Sequence, residues 1–382
     1  MKRLATLFVE KIMFGILSVL IPTQKGLMLF GSGFDRFSDN PKFLFLHFQK
    51  NFLEGPVWIS SDREEARDLR KKGYRCYYRW SLGAFWMVIR AQFFFVSHTV
   101  KDIYPTVPRR GTIINLWHGT PIKQIGFDSL NERIWIEEMI RSGRTLPYER
   151  WDYLVTASAQ TTFIFERAMR LPEYKIVPLG QPRTDHLLAM TNDAALKEKL
   201  SSRLALSRSL EQYTVLLYTP TFRNNESATL TIKRTLVELD RQLRSADDSV
   251  LFFKPHPLDR NIFDEEFFKP LTKVLNVSTQ DTQELLSVAD VLITDYSSIL
   301  FDFMITKRPI IAYIFDKETY IAENGGLYFS FEDLGTHVAS DSTELLNLVM
   351  TSKSLKKDYD SQRFNAPNSC AAIEDFVKQL MT

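Results

Sequence analysis

The amino-acid sequence predicts an α/β fold with two domains. At 382 residues the chain is too long for one core of ordinary size. Short runs rich in Val, Ile and Phe recur along it, and each ends in small, polar or proline residues and is followed by a segment of helical periodicity. Runs of this kind are typical of buried parallel strands that are joined by helices.

The composition limits the partners that the protein can have. Hydrophobic residues make up 45% and charged residues 25% of the chain, as in ordinary folded proteins. Lys and Arg (48) nearly match Asp and Glu (46), and the net charge of +2 leaves no electrostatic footprint for nucleic acid. We therefore expect no nucleic-acid partner, and any anion site must be local.

Cysteine and histidine spacing argues against a metal site. Cys76 and Cys370 fit neither a disulfide framework nor a metal-ligand pattern, so a reducing compartment is the simpler interpretation. No Cys or His cluster has metal-ligand spacing, and the sequence contains neither G-x-x-x-x-G-K-[ST] nor G-x-G-x-x-G. We expect no metal and no cofactor.

The first 21 residues form a basic and apolar segment. Lys2 and Arg3 precede its apolar stretch, Glu10 and Lys11 interrupt that stretch, and no small-residue cleavage site follows. The uninterrupted apolar run over 12–21 would cover about 15 Å as a helix, which is half a bilayer core. The segment is too short to span a membrane, and two alternatives remain open: it lies in the membrane interface, or it packs on the protein.

The elements follow from the apolar runs in chain order. Residues 81–96 are predicted to form a core helix followed by a strand. The later predicted strands are 112–117, 151–155, 215–218, 250–253 and 291–294. Residues 192–213 are typical of a charged helix plus a linker, and they separate an α/β domain over 1–190 from a second one over 212–355. The remaining segment, 356–382, ends in an amphipathic helix that could return to the first domain.

Polar residues that could bind a ligand or take part in catalysis follow the ends of the predicted strands. In open parallel sheets, ligands bind beyond the carboxyl ends of the strands. The candidates at these positions are His118, Arg223, Lys254, His256, Ser297 and Ser298. Because the carboxyl ends of parallel strands meet at one edge of a sheet, these side chains could converge on one cleft.

A helix is predicted to begin near Ser297, directly after a strand. Its first backbone N–H groups and the hydroxyls of Ser297 and Ser298 suit a phosphate. The alternative is that Asp295 and the serines only cap the helix. Because a carboxylate repels phosphate, we assign Asp295 to capping or orientation, and Thr294 to the shape of the same pocket.

Two histidines lie in strand-end loops beside glycine or proline. Gly119 and Thr120 follow His118, and a glycine there permits close approach by a ligand. Prolines on both sides of His256 stiffen its loop. A neutral imidazole can accept a proton from an attacking hydroxyl, so His118 is a candidate base. The other four histidines, His47, His98, His186 and His337, are expected to be structural or surface residues.

Several motifs in fixed order carry a resemblance that covers most of the chain. They are "LIPTQKGLMLFGSGFDRFSDNPKFLF" (20–45), "NLWHGTPIKQIGFD" (115–128), "LGQPRTD" (179–185), "LLYTPTFRNN" (216–225), "FKPHP" (253–257) and "ADVLITDYSSILFDF" (289–303). Together they resemble the CDP-glycerol glycerophosphotransferase family, enzymes that prime or polymerise the glycerol phosphate chain of teichoic acids and related capsules.

The resemblance implies a GT-B architecture, in which two Rossmann-like domains with parallel sheets face a cleft. The first domain would serve the acceptor, and the second would hold most of the nucleotide. It also implies that His118 and His256 are the catalytic pair, without deciding which is the base. We expect the diphosphate to be held by His256, Arg223, Lys254 and the helix start at Ser297 and Ser298, and Arg183 is a weaker candidate for the cleft.

The resemblance further implies transfer of glycerol phosphate from CDP-glycerol to a lipid-linked or polymeric acceptor, with release of CMP. Such an enzyme would be a peripheral protein of the cytoplasmic membrane face. Residues 324–340 lack the proline-glycine-proline typical of the family, which puts acceptor specificity in doubt. The alternatives are a GT-B transferase that uses CDP-ribitol or a nucleotide sugar, and a membrane scaffold that binds nucleotide without turnover.

Overall fold

The computed structural model describes residues 14–33, 36–52, 55–223, 225–245, 248–355 and 358–382. Residues 1–13, most of the segment that either lies in the membrane interface or packs on the protein, lie outside the described residues. Within the described ranges, residues 14–20 form the first helix, α1. In the described ranges, no helix combines the length and the apolar character that crossing a bilayer requires.

The chain divides into two compact units. The first comprises residues 1–118, 135–185 and 366–382, and the second comprises residues 119–134 and 186–365. The chain therefore leaves the first unit directly after His118, and its last helix belongs to the first unit.

The first unit contains a seven-stranded sheet in the order β3-β2-β1-β4-β5-β6-β7, and all of its strand pairs are parallel. Its strands are β1 (Met28–Phe30), β2 (Pro56–Ser60), β3 (Cys76–Tyr78), β4 (Phe93–Val96), β5 (Thr112–Asn115), β6 (Tyr153–Val155) and β7 (Ile176–Val177). Strand β4, Phe-Phe-Phe-Val, is buried along its whole length, as expected of a central parallel strand that is covered on both faces.

Besides α1, seven α-helices of the described residues lie wholly or partly in the first unit. They are α2 (Asp39–Asn51), α3 (Arg63–Lys71), α4 (Leu82–Arg90), α5 (Leu130–Arg141), α6 (Thr162–Met169), α7 (Pro182–Met190) and α16 (Ser369–Met381), of which α5 and α7 each cross a boundary between the units. Ile373 and Val377 on α16 are fully buried in the core that contains Phe45 and Phe48 of α2. The last helix is thus part of the hydrophobic core of the first unit.

The second unit contains a six-stranded parallel sheet in the order β10-β9-β8-β11-β12-β13. Its strands are β8 (Thr214–Thr219), β9 (Ser249–Phe253), β10 (Val274–Asn276), β11 (Val291–Thr294), β12 (Ile310–Tyr313) and β13 (His337–Ala339). Its helices are α8 (Ala194–Arg203), α9 (Glu226–Leu243), α10 (Glu265–Phe268), α11 (Thr282–Val288), α12 (Ile299–Met304), α13 (Lys317–Asn324), α14 (Ser342–Met350) and α15 (Ser361–Phe364).

The order of the sheet brings three of the predicted loops together. Strands β9, β8 and β11 are neighbours, with β8 in the middle. The segments that follow them carry Lys254 and His256, Arg223, and Asp295 with the two serines, respectively. Doubly wound parallel sheets with helices between the strands confirm the α/β prediction.

Candidate functional site

Arg223 is the buried centre of the strand-end cluster in the second unit. Its Nη2 atom donates to Asp295 at 2.8 Å, and its Nε atom donates to Asp316 at 2.6 Å. Its Nη1 atom donates to the carbonyl of Thr221 at 2.8 Å. The Arg223 side chain is 4% exposed, and the two carboxylates offset the cost of removing its charge from water.

Two tyrosines complete the surroundings of Arg223. Its guanidinium lies 4.5 Å from the ring centre of Tyr320 and 5.2 Å from that of Tyr296. The two rings stack on each other at 3.8 Å, and the Tyr296 hydroxyl donates to Asp316. Arg223 therefore joins the segments after β8, β11 and β12 into one rigid assembly.

Asp295 holds the loop after β8 in place. Its carboxylate accepts from the backbone N–H of Thr221 at 2.9 Å and from the Thr221 hydroxyl. The buried hydroxyl of Thr294 donates to the carbonyl of Thr219 at 2.9 Å, which ties β11 to β8. Both residues are oriented toward the protein and support the loop.

The two serines start a short helix. Ser298 is the N-cap residue of the six-residue helix α12 but makes no side-chain cap hydrogen bond. The Ser297 hydroxyl accepts from the backbone N–H of Ile299 at 3.4 Å. Both serines are partly exposed, whereas Asp295 next to them is buried.

Lys254 and Lys123 differ in how their charges are used. The Nζ atom of Lys254 donates to the carbonyl of Gln280 at 2.7 Å. Lys123 follows the His-Gly-Thr-Pro motif and is half-buried, with Nζ 5.9 Å from the ring centre of Tyr320. Across the described residues, no carboxylate forms an ion pair with it.

The half-buried position of Lys123 weakens its hold on its proton. Burial lowers its pKa, and the nearby positive charge of Arg223 lowers it further, while Asp295 and Glu132 oppose both effects. An anion that binds beside Lys123 would restore the charged form, because an opposite charge favours it. Lys123 is thus a cation in the second unit that is available to a ligand.

His256 is held as a hydrogen-bond donor. Its Nδ1 atom accepts from the backbone N–H of Leu258 at 3.3 Å, so in the neutral ring the proton is on Nε2. Burial lowers the pKa of His256, and the positive charge of Lys123 lowers it further. The neutral imidazole therefore presents an Nε2–H group and cannot accept a proton there.

His118 has the opposite arrangement in the first unit. Its Nδ1 atom lies 3.1 Å from the carbonyl oxygen of Ser97, which can only accept, so Nδ1 carries the proton. Burial lowers the pKa of His118 to about 4, and the neighbouring His98 ring contributes to this shift. At neutral pH the ring is uncharged, with the lone pair on Nε2 ready to accept a proton.

Side-chain hydrogen bonds hold the backbone of the loop that carries His118. Asn40, which is fully buried at the start of α2, donates to the carbonyls of Leu116 and Trp117, both at 3.1 Å. Asn115 accepts from the N–H of Trp117 at 2.7 Å. These bonds hold Trp117 at a φ of 52°, a left-handed conformation that is uncommon for a bulky residue.

Arg183 supports the same loop. Its Nη1 atom donates to the carbonyl of His118 at 2.9 Å and to Asp39 at 2.7 Å. Its backbone N–H donates to the side chain of Asn40. Arg183 is buried, so the structure brings it to the histidine loop as a support within the first unit.

The residues after His118 begin the second unit. Gly119 has a φ of 137°, a conformation that favours glycine, and Thr120 is buried. The chain then pairs with the glycine-rich segment after α13. Lys123 forms an antiparallel bridge with Leu327, and Gln124 and Gly326 exchange backbone and side-chain hydrogen bonds. Lys123 is thereby fixed within the second unit.

A cavity of about 510 Å³ lies in the second unit beside the Arg223 cluster. It is lined by Phe222, Arg223, Asn225, Glu226, Glu323 and Asn324. Over the ranges that the structure describes, no group of three or more His, Cys, Asp or Glu side chains could hold a metal ion.

Sequence reasoning missed Lys123, Asp316, Asn40 and His98. Lys123 lies in the motif "NLWHGTPIKQIGFD", five residues after His118, so its position in the sequence could have indicated a role in the site. Asp316 lies after β12, so the strand-end rule could have found it. Asn40 lies on α2, and no local pattern connects it with a loop more than 70 residues away.

Comparisons with known proteins agree with this architecture. The model of the family described as CDP-glycerol:poly(glycerophosphate) glycerophosphotransferase matches residues 13–375. A teichoic acid glycerol-phosphate transferase of Staphylococcus aureus is 28% identical over 362 residues, covering 92% of this chain and 90% of that protein. The teichoic acid poly(glycerol phosphate) polymerase of Bacillus subtilis is 29% identical over 325 residues, and this chain spans only 42% of its length.

Solved structures show the same fold. The wall teichoic acid polymerase TagF superimposes with a TM-score of 0.76 at 23% identity, covering 94% of this chain and 90% of that one. This likeness shows that the two parallel sheets form a GT-B fold. With the family model matched over nearly the whole length, the chain belongs to the CDP-glycerol:poly(glycerophosphate) glycerophosphotransferase family.

Proposed function

We propose that the protein transfers glycerol phosphate from CDP-glycerol to an acceptor hydroxyl in teichoic acid synthesis. The match of the family model over residues 13–375 carries this proposal. The acceptor oxygen attacks the β-phosphorus, the bond from that phosphorus to the bridging oxygen breaks, and CMP leaves with the bridging oxygen. The proton of the acceptor hydroxyl goes to a base of the enzyme.

His118 is the base in this scheme. Its Nδ1–H is bound to the Ser97 carbonyl, so Nε2 is the atom that takes the proton. A pKa of about 4 keeps the ring neutral at physiological pH. Such a weak base takes up little of the proton in the ground state and acts as the hydroxyl becomes acidic during attack. His118 would be the catalytic residue of the first unit.

His256 and Lys123 stabilise the donor phosphates. The Nε2–H of His256 is a neutral donor, and Lys123 is a positive charge close enough to lower the pKa of His256. Together they would offset the negative charge that grows on the leaving phosphate, which is usually the largest contribution to phosphoryl transfer. Gly119, Thr120, Ser297 and Ser298 would supply further polar contacts.

Arg223 and Lys254 support the donor site in this scheme. Arg223 is bound to two carboxylates, and Lys254 is bound to the carbonyl of Gln280. Thr294 and Asp295 would shape the pocket from beneath. The neighbouring cavity of about 510 Å³ is within the range of ligand pockets and would accommodate part of the nucleotide.

We also propose that the enzyme acts at the cytoplasmic membrane face on a lipid-linked or polymeric acceptor. The first unit exposes large apolar side chains on two helices that pack together: Val19 (78%) and Leu20 (73%) on α1, and Leu82 (88%) and Trp86 (46%) on α4. Phe14 contacts Phe85 between these helices, and Arg90 lies over Trp86. Exposed aliphatic and Trp side chains beside Arg are typical of helices that lie in an anionic membrane interface.

CMP release from CDP-glycerol tests the proposed reaction. With a membrane extract as acceptor source, we expect CMP from CDP-glycerol but not from CDP-ribitol, and no nucleoside diphosphate from UDP-sugars. His118→Ala should lower the rate about 10²- to 10⁴-fold, since a general base is lost. Its folding can be checked by fluorescence, because all six Trp residues belong to the first unit. If the enzyme releases product from another donor and no CMP from CDP-glycerol, the proposal is wrong.

Removal of the Lys123 charge should weaken binding of the donor. We expect Lys123→Met to raise the KM for CDP-glycerol about 10- to 100-fold, because a charge-assisted hydrogen bond contributes about 1.5–3 kcal/mol. Steady-state kinetics of CMP release measure this. Lys269→Met, which removes an exposed lysine of the same unit, is the matched control and should leave KM unchanged. Equal KM values for the two variants would contradict the assignment.

The membrane proposal predicts a local effect of charge on binding to lipid. Leu82→Glu should lower sedimentation with phosphatidylglycerol liposomes about tenfold, because burial of one Leu side chain contributes about 1.5–3 kcal/mol. Val237→Glu replaces an exposed apolar residue of the second unit, 50% exposed against 88% for Leu82, and should have no effect. If both variants sediment like the wild type, this surface does not bind the membrane.

A further inference from the structure

His98 is in direct ring contact with the base. The His98 and His118 rings are 4.1 Å apart between centres and 5° from parallel, and Trp117 contacts His118 at 4.2 Å. His118 donates through Nδ1 to the carbonyl of Ser97, the residue before His98. Residues 97 and 98 thus touch both an edge and a face of the same imidazole.

The backbone of His98 is fixed on several sides. The buried carboxylate of Asp102 accepts from the N–H of Ser97 at 2.9 Å and from the N–H of His98 at 2.8 Å. Asn115, which begins the loop that carries His118, donates to the carbonyl of His98 at 2.9 Å. The backbones at His98 and His118 are therefore joined through Asn115.

The ring of His98 is held as firmly as its backbone. Its Nδ1 atom lies 2.9 Å from the hydroxyl of Ser97, which in turn accepts from the N–H of Gly33 at 2.9 Å. A Cβ atom on Gly33 would lie 2.2 Å from Nδ1 of His98, so a larger residue at position 33 would displace the ring. So much local support is unusual for a surface side chain.

We propose that His98 is a positioning residue for the base His118. The flat ring of His98 fixes the plane of the His118 imidazole, and the Ser97 carbonyl fixes its rotation in that plane, so that the lone pair on Nε2 has one direction. This inference rests on the proposed role of His118 and extends it to a residue outside the recognised motifs.

His98 also affects the pKa of His118 electrostatically. The titratable and charged groups that face His118 are His98, Asp39 and Arg183, with Asp102 behind His98. Burial is the largest cause of the lowered pKa of His118; His98 and Arg183 lower this pKa further, whereas Asp39 raises it. Removal of His98 should therefore raise the pKa of His118 from about 4 toward its ordinary value.

Two variants separate the effect of the ring from that of its charge. His98→Ala removes both, and we expect kcat for CMP release to fall about 10- to 100-fold with the KM for CDP-glycerol unchanged, because misplacing a catalytic group by about 1 Å can cost about 100-fold. His98→Phe keeps a flat ring and should recover most of kcat at neutral pH. In both variants the acid limb of the pH–rate profile should move to higher pH. His47→Gln on α2 is the control and should change neither quantity.

An NMR titration of the histidine rings gives a readout that does not need activity. With ¹³C-labelled histidine and His118→Asn to assign the His118 signal, the His118 pKa should rise in both His98 variants. If His98→Ala has the kcat, the acid limb of the pH–rate profile and the His118 pKa of the wild type, the inference is wrong. If His98→Phe does not fold, the His118 pKa measured in His98→Ala alone decides the question. Absence of CMP release by the wild type would instead overturn the proposed reaction, and the titration would still test the contact.

Discussion

The hydrogen bond from His118 Nδ1 to the backbone carbonyl of Ser97 decides what the first unit can do. A carbonyl oxygen cannot donate, so the bond assigns the proton to Nδ1 and the lone pair to Nε2. Other contacts fix the position of the loop that carries His118. Asn40 and Arg183 donate hydrogen bonds to the carbonyls of residues 116–118, and Trp117 has an uncommon left-handed backbone conformation. In the second unit, Nδ1 of His256 is an acceptor instead of a donor, because a backbone N–H donates to it. The two histidines therefore have different chemistry.

The second unit shows how a buried charge can fix the loops around a site. Arg223 is paired with Asp295 and Asp316, stacked against two tyrosines and almost without contact with water. Breaking such a pair would leave an uncompensated charge in the interior, which typically costs about 3–5 kcal/mol. Its value lies in fixing the three loops on which the donor is proposed to bind. Lys123 is the charge that we propose for the phosphates, and its lowered pKa reflects its half-buried position and the repulsion from Arg223.

Strands and the strand-end loops were predictable because their signals are local. Residues 291–294 form β11 as predicted, and the helix and strand within residues 81–96 are α4 and β4. The strand predicted over 112–117 ends at Asn115, because the chain leaves the sheet when Asn40 and Asn115 bind the next backbone groups. The pairing of Arg223 with carboxylates 72 and 93 residues away was not predictable, nor was the contact of His98 with His118, since each depends on strand order. Sequence reasoning found the loops but could not assign the hydrogen bonds that set each side chain's role.

The central claim, that the two histidines act through Nε2 in opposite senses, is tested most directly by glutamine substitution, because the side-chain amide can place an N–H near the position of Nε2 but cannot act as a base. CMP release from CDP-glycerol would be compared for His118→Gln, His118→Ala, His256→Gln and His256→Ala. We expect His256→Gln to retain at least about tenfold more activity than His256→Ala, since one hydrogen bond to a charged group contributes about 1.5–3 kcal/mol. His118→Gln should be as inactive as His118→Ala. Recovery by glutamine at position 118 but not at position 256 would contradict the account and exchange the two roles.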